Sequence, residues 1–535
     1  MLLPELMIIL LVLSVFAVLL SGYPVAFAYG GTALVFYFIG IYFMPGTFDD
    51  TAMNLFDNNL TDLISRRDML IAVPLFVFMG VMLERSKVAE QLLETMGLLF
   101  GPLRGGLGIS VLIVGMLLAA STGIVGATCV TMGLLSLPTM LKRNYDPKIA
   151  AGTICASGTL GQIIPPSIVL ILLGDQIATE YQNAQSTMNN FSPDTVSVGD
   201  LFAGALIPGL ILVGLYLVYL IAIAIFKPDA MPAIPKEERN ISGKQLFIQT
   251  LTSLVPPIVL IILVLGAIFV GAAAAYEAAA VGAVGAMILA TINGKLVDIT
   301  VYRHYFASVN RHRFALGIFI VLVVFILLAV INIKLAASIA LLAVFLFYML
   351  NFKRIRFDTL REVMQSTVKI SSMVFLIFIG AMLFTATFKG FGGNAIVESL
   401  LSDLPGGVFG AMFVVMLIMF LLGFILDFVE ISLVIVPIVA PIIFMFGYDP
   451  ATGIQDPSHI VSPVWFGVMI AINLQTSFLT PPFGFSLFYV RGVAPPEITT
   501  LHIYKGVIPF IAIQLITLLL LAIWPELATW LADKV

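Results

Sequence analysis

Two adjacent prolines, Pro165 and Pro166, interrupt an apolar run that is otherwise long enough to cross a bilayer, ASGTLGQIIPPSIVLILLG (156–174). Each proline lacks a backbone N–H, and its ring clashes with the preceding turn of a helix. Lipid cannot form hydrogen bonds with the carbonyl groups left unpaired, so each of them costs several kcal/mol. A break at this depth is therefore compatible only with surroundings of protein or of a water-filled cavity.

The composition indicates a membrane protein with many spans. The 535 residues are 60% hydrophobic and only 10% charged, whereas about a quarter of the residues of a soluble domain are charged. The net charge of −4 is small and indicates no nucleic-acid partner. Cys129 and Cys155 lie in apolar stretches and are predicted to be small core residues. The four histidines are scattered, so neither a metal cluster nor an enzyme is predicted.

Apolar windows of about 20 residues predict twelve spanning helices. They lie at 5–25, 26–44, 69–84, 149–175, 201–226, 252–270, 272–292, 314–332, 334–350, 368–388, 461–490 and 506–531. Two further apolar regions, 106–140 and 406–446, are too long for one span and carry glycines midway. Each is predicted to form two short helices that enter and leave the membrane on the same side. Residues 46–68 and 88–104 are predicted to be amphipathic or irregular surface segments.

The positions of lysine and arginine predict the orientation of the chain, because these residues are enriched in cytoplasmic connections. The basic connections are 141–148, 227–244, 295–313 and 351–362, and the connections without a lysine or arginine are 176–200 and 447–460. An even number of passes places all basic connections on one side and both termini on the periplasmic side. This parity is compatible with re-entrant hairpins and equally with two full crossings in each long region.

Three features recur in the same order and indicate an internal duplication. LRGGLG (103–108) matches LPGGVFG (404–410), Tyr-Asp-Pro occurs at 145–147 and 448–450, and a second proline pair, Pro481 and Pro482, matches the first. The charge pattern places one Tyr-Asp-Pro inside and the other outside, so the halves are inverted. Inverted repeats with interrupted helices are typical of secondary transporters, and unwound carbonyl groups can hold a cation. We therefore expect a cation at each proline pair.

Five segments carry a resemblance to a known family. They are VPLFVFMGVMLERSKVAEQLLE (73–94), the run from 121 to 174, YEAAAVGA (276–283), LLGFILDFVEISLVIVPIVAPI (421–442) and NLQTSFLTPPFGFSLF (473–488). Together they resemble the large membrane subunit, the DctM-type permease, of a tripartite ATP-independent periplasmic (TRAP) transporter, nearly end to end. The resemblance implies sodium-coupled import of an organic acid, a carboxylate or 2-oxo acid, with Na⁺ as coupling ion and no other cofactor. It also implies the bacterial or archaeal inner membrane, a small four-helix membrane subunit and a periplasmic substrate-binding protein.

The predicted fold is an all-α polytopic membrane protein with about 12 transmembrane helices and two re-entrant hairpins in inverted repeats. The resemblance further implies the elevator architecture of the ion-transporter superfamily. The predicted units are N-terminal scaffold helices and an amphipathic arm (1–105), a first transport half (106–200), further scaffold helices (201–367) with an extra helix pair near 314–350, a helix and arm of the second repeat (368–405), a second transport half (406–490) and a C-terminal helix (491–535).

Candidate cation ligands lie at the hairpin tips and at the two breaks, because sodium is bound by several oxygen ligands. The first predicted site comprises Ser121, Gly126, Ser157, Gly161 and Pro166, and the second comprises Asp427, Asn473, Thr476 and Thr480. The alternative for each hydroxyl is a hydrogen bond to its own helix. Asp427 matches an acidic position that is common in the family and is either a cation ligand or an acceptor that closes the hairpin.

Candidate substrate ligands are donors at the hairpin tips, since half-helix N-termini and hydroxyl groups favour anions. They are Thr122, Thr128, Ser432 and Thr480, together with Glu430, which is expected to be either protonated or facing water. Glu277, between two spans, either caps the following helix, which we favour, or ties the scaffold together. The competing functions are a stand-alone sodium–dicarboxylate symporter, a membrane enzyme and a channel, and the last two fit the residues less well.

Overall fold

The computed structural model describes most of the chain. It covers residues 3–66, 68–123, 125–190, 194–235, 242–293, 355–449, 454–456 and 459–535, with the single positions 296, 346, 348 and 349. The predicted span at 314–332 lies outside the described residues, as does nearly all of the span at 334–350. The described residues are almost entirely helical or in turns, which confirms the all-α class.

The described residues up to 293 form twelve α-helices. They are α1 (Leu3–Leu20), α2 (Val25–Phe43), α3 (Ala52–Arg66), α4 (Asp68–Arg85), α5 (Val88–Phe100), α6 (Gly106–Thr122), α7 (Val125–Lys142), α8 (Pro147–Thr159), α9 (Ile168–Thr187), α10 (Val198–Phe226), α11 (Gly243–Phe269) and α12 (Ala275–Ile292). Short 3₁₀ turns lie at Leu160–Gln162 and Pro228–Ala230. The predicted surface segments contain α3 and α5, and α5 buries one face.

The described second half continues with eight further helices. They are α13 (Phe357–Gly390), α14 (Gly393–Ser402), α15 (Gly407–Leu422), α16 (Phe428–Phe444), α17 (Pro463–Leu479), α18 (Phe485–Val493), α19 (Thr500–Ile523) and α20 (Glu526–Ala532). Two strands of two residues each, β1 (Tyr448–Asp449) and β2 (Ile454–Gln455), pair in antiparallel orientation. The predicted span at 506–531 is wrong at its C-terminal end, because α19 ends at Ile523 and a separate short helix follows Pro525.

Eight helices of the described part are long and apolar enough to cross a membrane. They are α1, α2, α7, α10, α11, α12, α13 and α19. Four shorter apolar segments lie in α6, α15, α16 and α17. Large apolar side chains are exposed along α1, α2, α10, α11 and α19, as expected for surfaces that face lipid. The total of twelve spans stays a prediction.

Both halves repeat one order of elements. A long helix, a short arm helix, a helical pair, a broken helix and another long helix follow each other as α4 to α10 and as α13 to α19. Left-handed residues occupy matching places. Lys87 and Gly392 precede the arm helices with φ of 60° and 79°, and Gly105 and Gly406 precede the helical pairs with φ of 76° and 96°. Glycine adopts this conformation without steric cost, so the shared Gly-Gly motif starts the two pairs in the same way.

The helix before each break lies in the interior. Every residue of α17 and every residue of α8 from Ile149 onward is buried. α8 packs closely against α19, because Gly152 and Gly506 let the two backbones touch. Around this centre α2 packs along α13, and α4 packs along α12. At the first break the packing thus provides the protein surroundings that a proline break in a membrane requires, whereas Pro482 and Phe483 at the second break are exposed.

Candidate functional site

The first break separates α8 from α9 with a stretch of non-helical backbone. After the 3₁₀ turn, Ile163 and Ile164 donate their backbone N–H groups to the carbonyl of Leu160. Ser167 Oγ donates to the carbonyl oxygen of Gln162 at 2.8 Å, and α9 begins at the next residue. The Pro165–Pro166 peptide bond is cis. The predicted helix break is therefore present, and a serine hydroxyl satisfies one of the carbonyl groups it frees.

The second break separates α17 from α18 in a similar manner. The backbone N–H of Gly484 donates to the carbonyl of Thr480 at 3.0 Å. Ser486 Oγ donates to the carbonyl of Phe478 at 2.8 Å. The bond between Pro481 and Pro482 is also cis. In both halves a serine hydroxyl thus pairs with the carbonyl three residues before the first proline, which is local support for the duplication.

The turn of each helical pair rests on the break of its own half. α6 ends at Thr122, and a Cβ on Gly123 would lie 3.2 Å from the backbone N of Ile168 and 3.7 Å from the carbonyl oxygen of Pro166. In the second half, a Cβ on Gly423 would lie 2.2 Å from Ser477 Oγ. At Gly423 a Cβ has no room unless Ser477 shifts, and at Gly123 it would be tightly packed, so each turn packs closely against the broken helix of its own half.

The structure brings most of the first predicted cation site together. Ser157 packs against Gly115 of α6, Gly161 lies next to Ala119, and Pro166 lies next to the turn. Gly126 is the exception, because a Cβ there would lie 3.1 Å from the ring of Tyr489 on α18. Ser121 and Thr122 form the last turn of α6, and their side chains lie outside the described part of the chain.

The residues of the second predicted cation site line α17 and its break. Asn473 Nδ2 donates to the carbonyl of Met416 on α15 at 2.8 Å, which ties α17 to the helical pair. Thr476 and Thr480 donate to the carbonyls of Ile472 and Thr476 at 2.8 and 2.7 Å. The hydroxyls therefore bond their own helix, as the alternative interpretation states. Each oxygen still has lone pairs that can bind a cation.

The two carboxylates of the second turn cap the start of α16. Asp427 Oδ1 accepts from the backbone N–H of Phe428 at 2.7 Å, and Glu430 Oε2 accepts from the backbone N–H of Asp427 at 2.9 Å. Glu430 is 4% exposed, so the expectation that it faces water is wrong. Asp427 acts here as a backbone acceptor that closes the turn, and its second oxygen can accept a further ligand.

The candidate substrate donors occupy different elements. Thr128 is buried on α7, and Ser432 is buried in a π-helical turn at Ile431–Ile435, where its Oγ has no hydrogen-bond partner among the described residues. π-Helical turns are frequent at functional sites. The ring of Tyr489 packs on Gly126, so α18 of the second half lies against α7 of the first half.

Three polar residues at the centre are not among the site residues predicted from the sequence. Gln475 Nε2 donates to Thr159 Oγ1 at 3.3 Å across the two halves, and both side chains are fully buried. Gln162, in the first break, is buried with both amide atoms unpaired among the described residues. The sequence contains one signal for the contact between Thr159 and Gln475, because each of them is a polar residue six positions before its proline pair.

Charged residues outside the centre have structural roles. Glu277 Oε2 accepts from the backbone N–H of Ala274 at 3.0 Å, so the preferred interpretation as a helix cap is confirmed. Arg491 Nη1 donates to the carbonyl of Ile498 at 2.5 Å and fixes the connection after α18. Among the residues described, no group of three or more histidine, cysteine, aspartate or glutamate side chains could hold a metal ion.

Comparison with known proteins identifies relatives along almost the whole chain. The sequence profile of the "Tripartite ATP-independent periplasmic transporter, DctM component" matches residues 12–311 and 300–527. The C4-dicarboxylate TRAP transporter large permease protein DctM of Vibrio cholerae is 25% identical and covers 98% of this chain and 96% of its own length. The sialic acid TRAP transporter large permease protein SiaM of the same species is 24% identical and covers 87% and 86%.

A solved structure shares the fold. The YdaH transporter of Alcanivorax borkumensis aligns with a TM-score of 0.50 at 15% identity, over 89% of this chain and 90% of that one. At this identity the likeness concerns the architecture alone.

Proposed function

The chain belongs to the DctM family of TRAP transporters, and we propose that it is the large membrane subunit that carries out sodium-coupled import of an organic acid. The observation that carries the proposal is the pair of packed units, each made of a proline break and the turn of a helical pair. Two broken helices in inverted halves, closed by opposed turns, fit alternating access around a central site. A channel would need an open pore instead.

Sodium coupling is supported by the oxygen atoms that surround each break. In the first half, Pro166 lies against the turn, and Gly161 and Ser157 lie against Ala119 and Gly115 of α6. In the second half, Asn473 and Thr476 are buried near the start of the break. Apart from the carboxylate of Asp427 in the second site, these are neutral oxygen ligands, which can bind a cation of single charge without placing a full negative charge in the membrane. We propose one sodium ion at each break.

The proposed substrate is an organic acid. The relatives are named for C4-dicarboxylate and sialic acid, both of which are carboxylic acids. The hydroxyls of Thr128, Ser432 and Thr480 can donate to such an anion, and no buried arginine is needed for this interaction. We propose a carboxylate or 2-oxo acid as substrate.

The proposed partners and motion follow from the family. A tripartite system requires a small membrane subunit and a periplasmic substrate-binding protein, which would deliver the acid to this chain in the inner membrane. The broken helices and their turns pack as one body, and α2, α4, α12 and α13 pack with one another beside it. We propose that the first body moves against the second in an elevator mechanism.

Uptake into liposomes tests the proposal. The chain and its small subunit are reconstituted, and uptake of labelled dicarboxylates and 2-oxo acids is measured with and without the binding protein and an inward sodium gradient. We expect uptake only when both are present. Uptake with sodium but without the binding protein would favour the stand-alone sodium–dicarboxylate symporter, and uptake that ignores sodium would refute the cation sites.

A further inference from the structure

The hydrogen bond between Thr159 and Gln475 joins the two halves at their centre. Gln475 Nε2 donates to Thr159 Oγ1 at 3.3 Å, and Thr159 Oγ1 in turn donates to the carbonyl of Ala156 at 2.9 Å. Both side chains are 0% exposed. The amide of Gln475 is therefore linked through one hydroxyl to the backbone of the other half.

Thr159 and Gln475 occupy equivalent positions of the duplication. Each lies six residues before the first proline of its pair, at Pro165 and at Pro481. When equivalent residues of two inverted halves touch each other, they lie at the axis that relates the halves. The contact is thus located between the two breaks and belongs to neither one alone.

Each member of the pair is flanked by residues of one predicted cation site. Ser157 and Gly161 lie two residues on either side of Thr159, and Thr476 and Asn473 lie one residue after and two residues before Gln475. Ser157 and Asn473 are themselves equivalent, since each lies eight residues before its proline pair. A change in the backbone of one site must therefore move one member of the pair.

We propose that the Thr159–Gln475 hydrogen bond couples the two cation sites, so that binding of one sodium ion favours binding of the other. This inference rests on the proposed function, because it requires sodium at both breaks. A cation that orders residues 157–161 fixes Thr159, which holds Gln475 and thereby orders residues 473–476. The second ion then binds to a segment that is already ordered and loses less conformational entropy.

Buried amide atoms without a hydrogen-bond partner support a coupling role of the Thr159–Gln475 hydrogen bond over a purely structural role. Gln475 Oε1 and both amide atoms of Gln162 are buried without a hydrogen-bond partner in the described part of the chain. Buried polar atoms without partners destabilise a fold, so their presence at one place points to a functional reason. A glutamine held by a single hydrogen bond can also follow movements of either half.

The test is an equilibrium titration of sodium on the complex of the chain with its small subunit, followed by the fluorescence of tryptophan. Trp465 lies on α17 together with Gln475, which makes it a local reporter. The variants are Thr159→Val and Gln475→Met, which remove the hydrogen bond at nearly constant volume. The matched control is Thr153→Val, because Thr153 is buried on the same helix and its hydroxyl has no partner among the described residues.

We expect a Hill coefficient clearly above 1, with an upper limit of about 2 for two sites, for the wild type, and a value near 1 for both variants. The control Thr153→Val should retain the wild-type Hill coefficient. Thr159→Ser keeps the hydroxyl and should also retain it, so this variant tests the coupling if Thr159→Val folds poorly. Wild-type binding with a Hill coefficient of 1, or variants with the wild-type value, would overturn the coupling alone. A wild type that does not bind sodium would overturn the proposed function as well.

Discussion

The contact between Gly423 and Ser477 provides a sharp test of how the second turn closes on its break. A Cβ on Gly423 would lie 2.2 Å from Ser477 Oγ and 2.7 Å from Ser477 Cβ. Ordinary non-bonded contacts begin near 3.4 Å, so Gly423→Ala forces the turn and the break apart by roughly 1 Å. The glycine has a helical backbone conformation with φ of −63°, and alanine therefore adds no backbone strain.

The magnitude follows from the cost of overpacking. An extra methyl group in a packed interior costs about 1–3 kcal/mol. If this cost falls on the closed state alone, the sodium concentration for half-maximal uptake should rise by about 5- to 150-fold. Ser477→Gly removes both clashing atoms, so the double variant should regain most of the lost affinity.

The assay is the initial rate of uptake into liposomes as a function of sodium concentration. Gly214→Ala on α10 is the control, because a Cβ there has no atom within 4 Å. A Gly423→Ala protein with unchanged sodium dependence would refute the packed turn. A double variant, Gly423→Ala with Ser477→Gly, that needs as much sodium for half-maximal uptake as Gly423→Ala alone would also refute it.

Four further variants test the polar groups of the turn and scaffold. Asp427→Asn keeps an acceptor for the backbone N–H of Phe428, so the melting temperature should stay nearly constant. Sodium-driven uptake should fall at least about tenfold, because the loss of one charged ligand costs about 1.4 kcal/mol or more. Equal uptake by Asp427→Asn and wild type would contradict the role of Asp427 as a cation ligand. Glu277→Ala should lower the free energy of unfolding by about 0.5–1.5 kcal/mol without changing the sodium dependence of uptake. Glu277→Gln should lower the free energy of unfolding less, and thermal unfolding in detergent measures both effects. Asn473→Ala removes the hydrogen bond from α17 to the carbonyl of Met416 and should lower stability by about 0.5–1.5 kcal/mol and also weaken sodium binding, and a loss of stability alone would indicate a purely structural side chain.

The breaks and the paired helices were predictable because their signals are local. The double prolines at 165–166 and 481–482 end their helices, whereas the pair at 256–257 lies inside α11, and a Gly-Gly motif starts each pair of helices in both halves. The capping role of Glu277 is equally local, since its partner lies three residues away. Features of this kind need no knowledge of the tertiary structure.

The remaining features depend on contacts between distant segments. Glycine is a residue type that is common in turns, but Gly126 lies on α7 and packs against the ring of Tyr489 on α18. Glu430 is drawn inward because its carboxylate completes the cap of α16. The bond between Thr159 and Gln475 joins residues 316 positions apart, and only the register of the two halves reveals it. No periodicity within either segment encodes such a contact.

The central claim is that each break holds a sodium ion, and the most direct measurement is the number of ions that the purified complex binds. Equilibrium dialysis with radioactive sodium should give two ions for each chain at saturation. Ser157→Ala and Asn473→Ala should each reduce this number to one, because each removes a ligand of a different site. A wild type that binds no sodium, or variants that both retain two ions, would contradict the account.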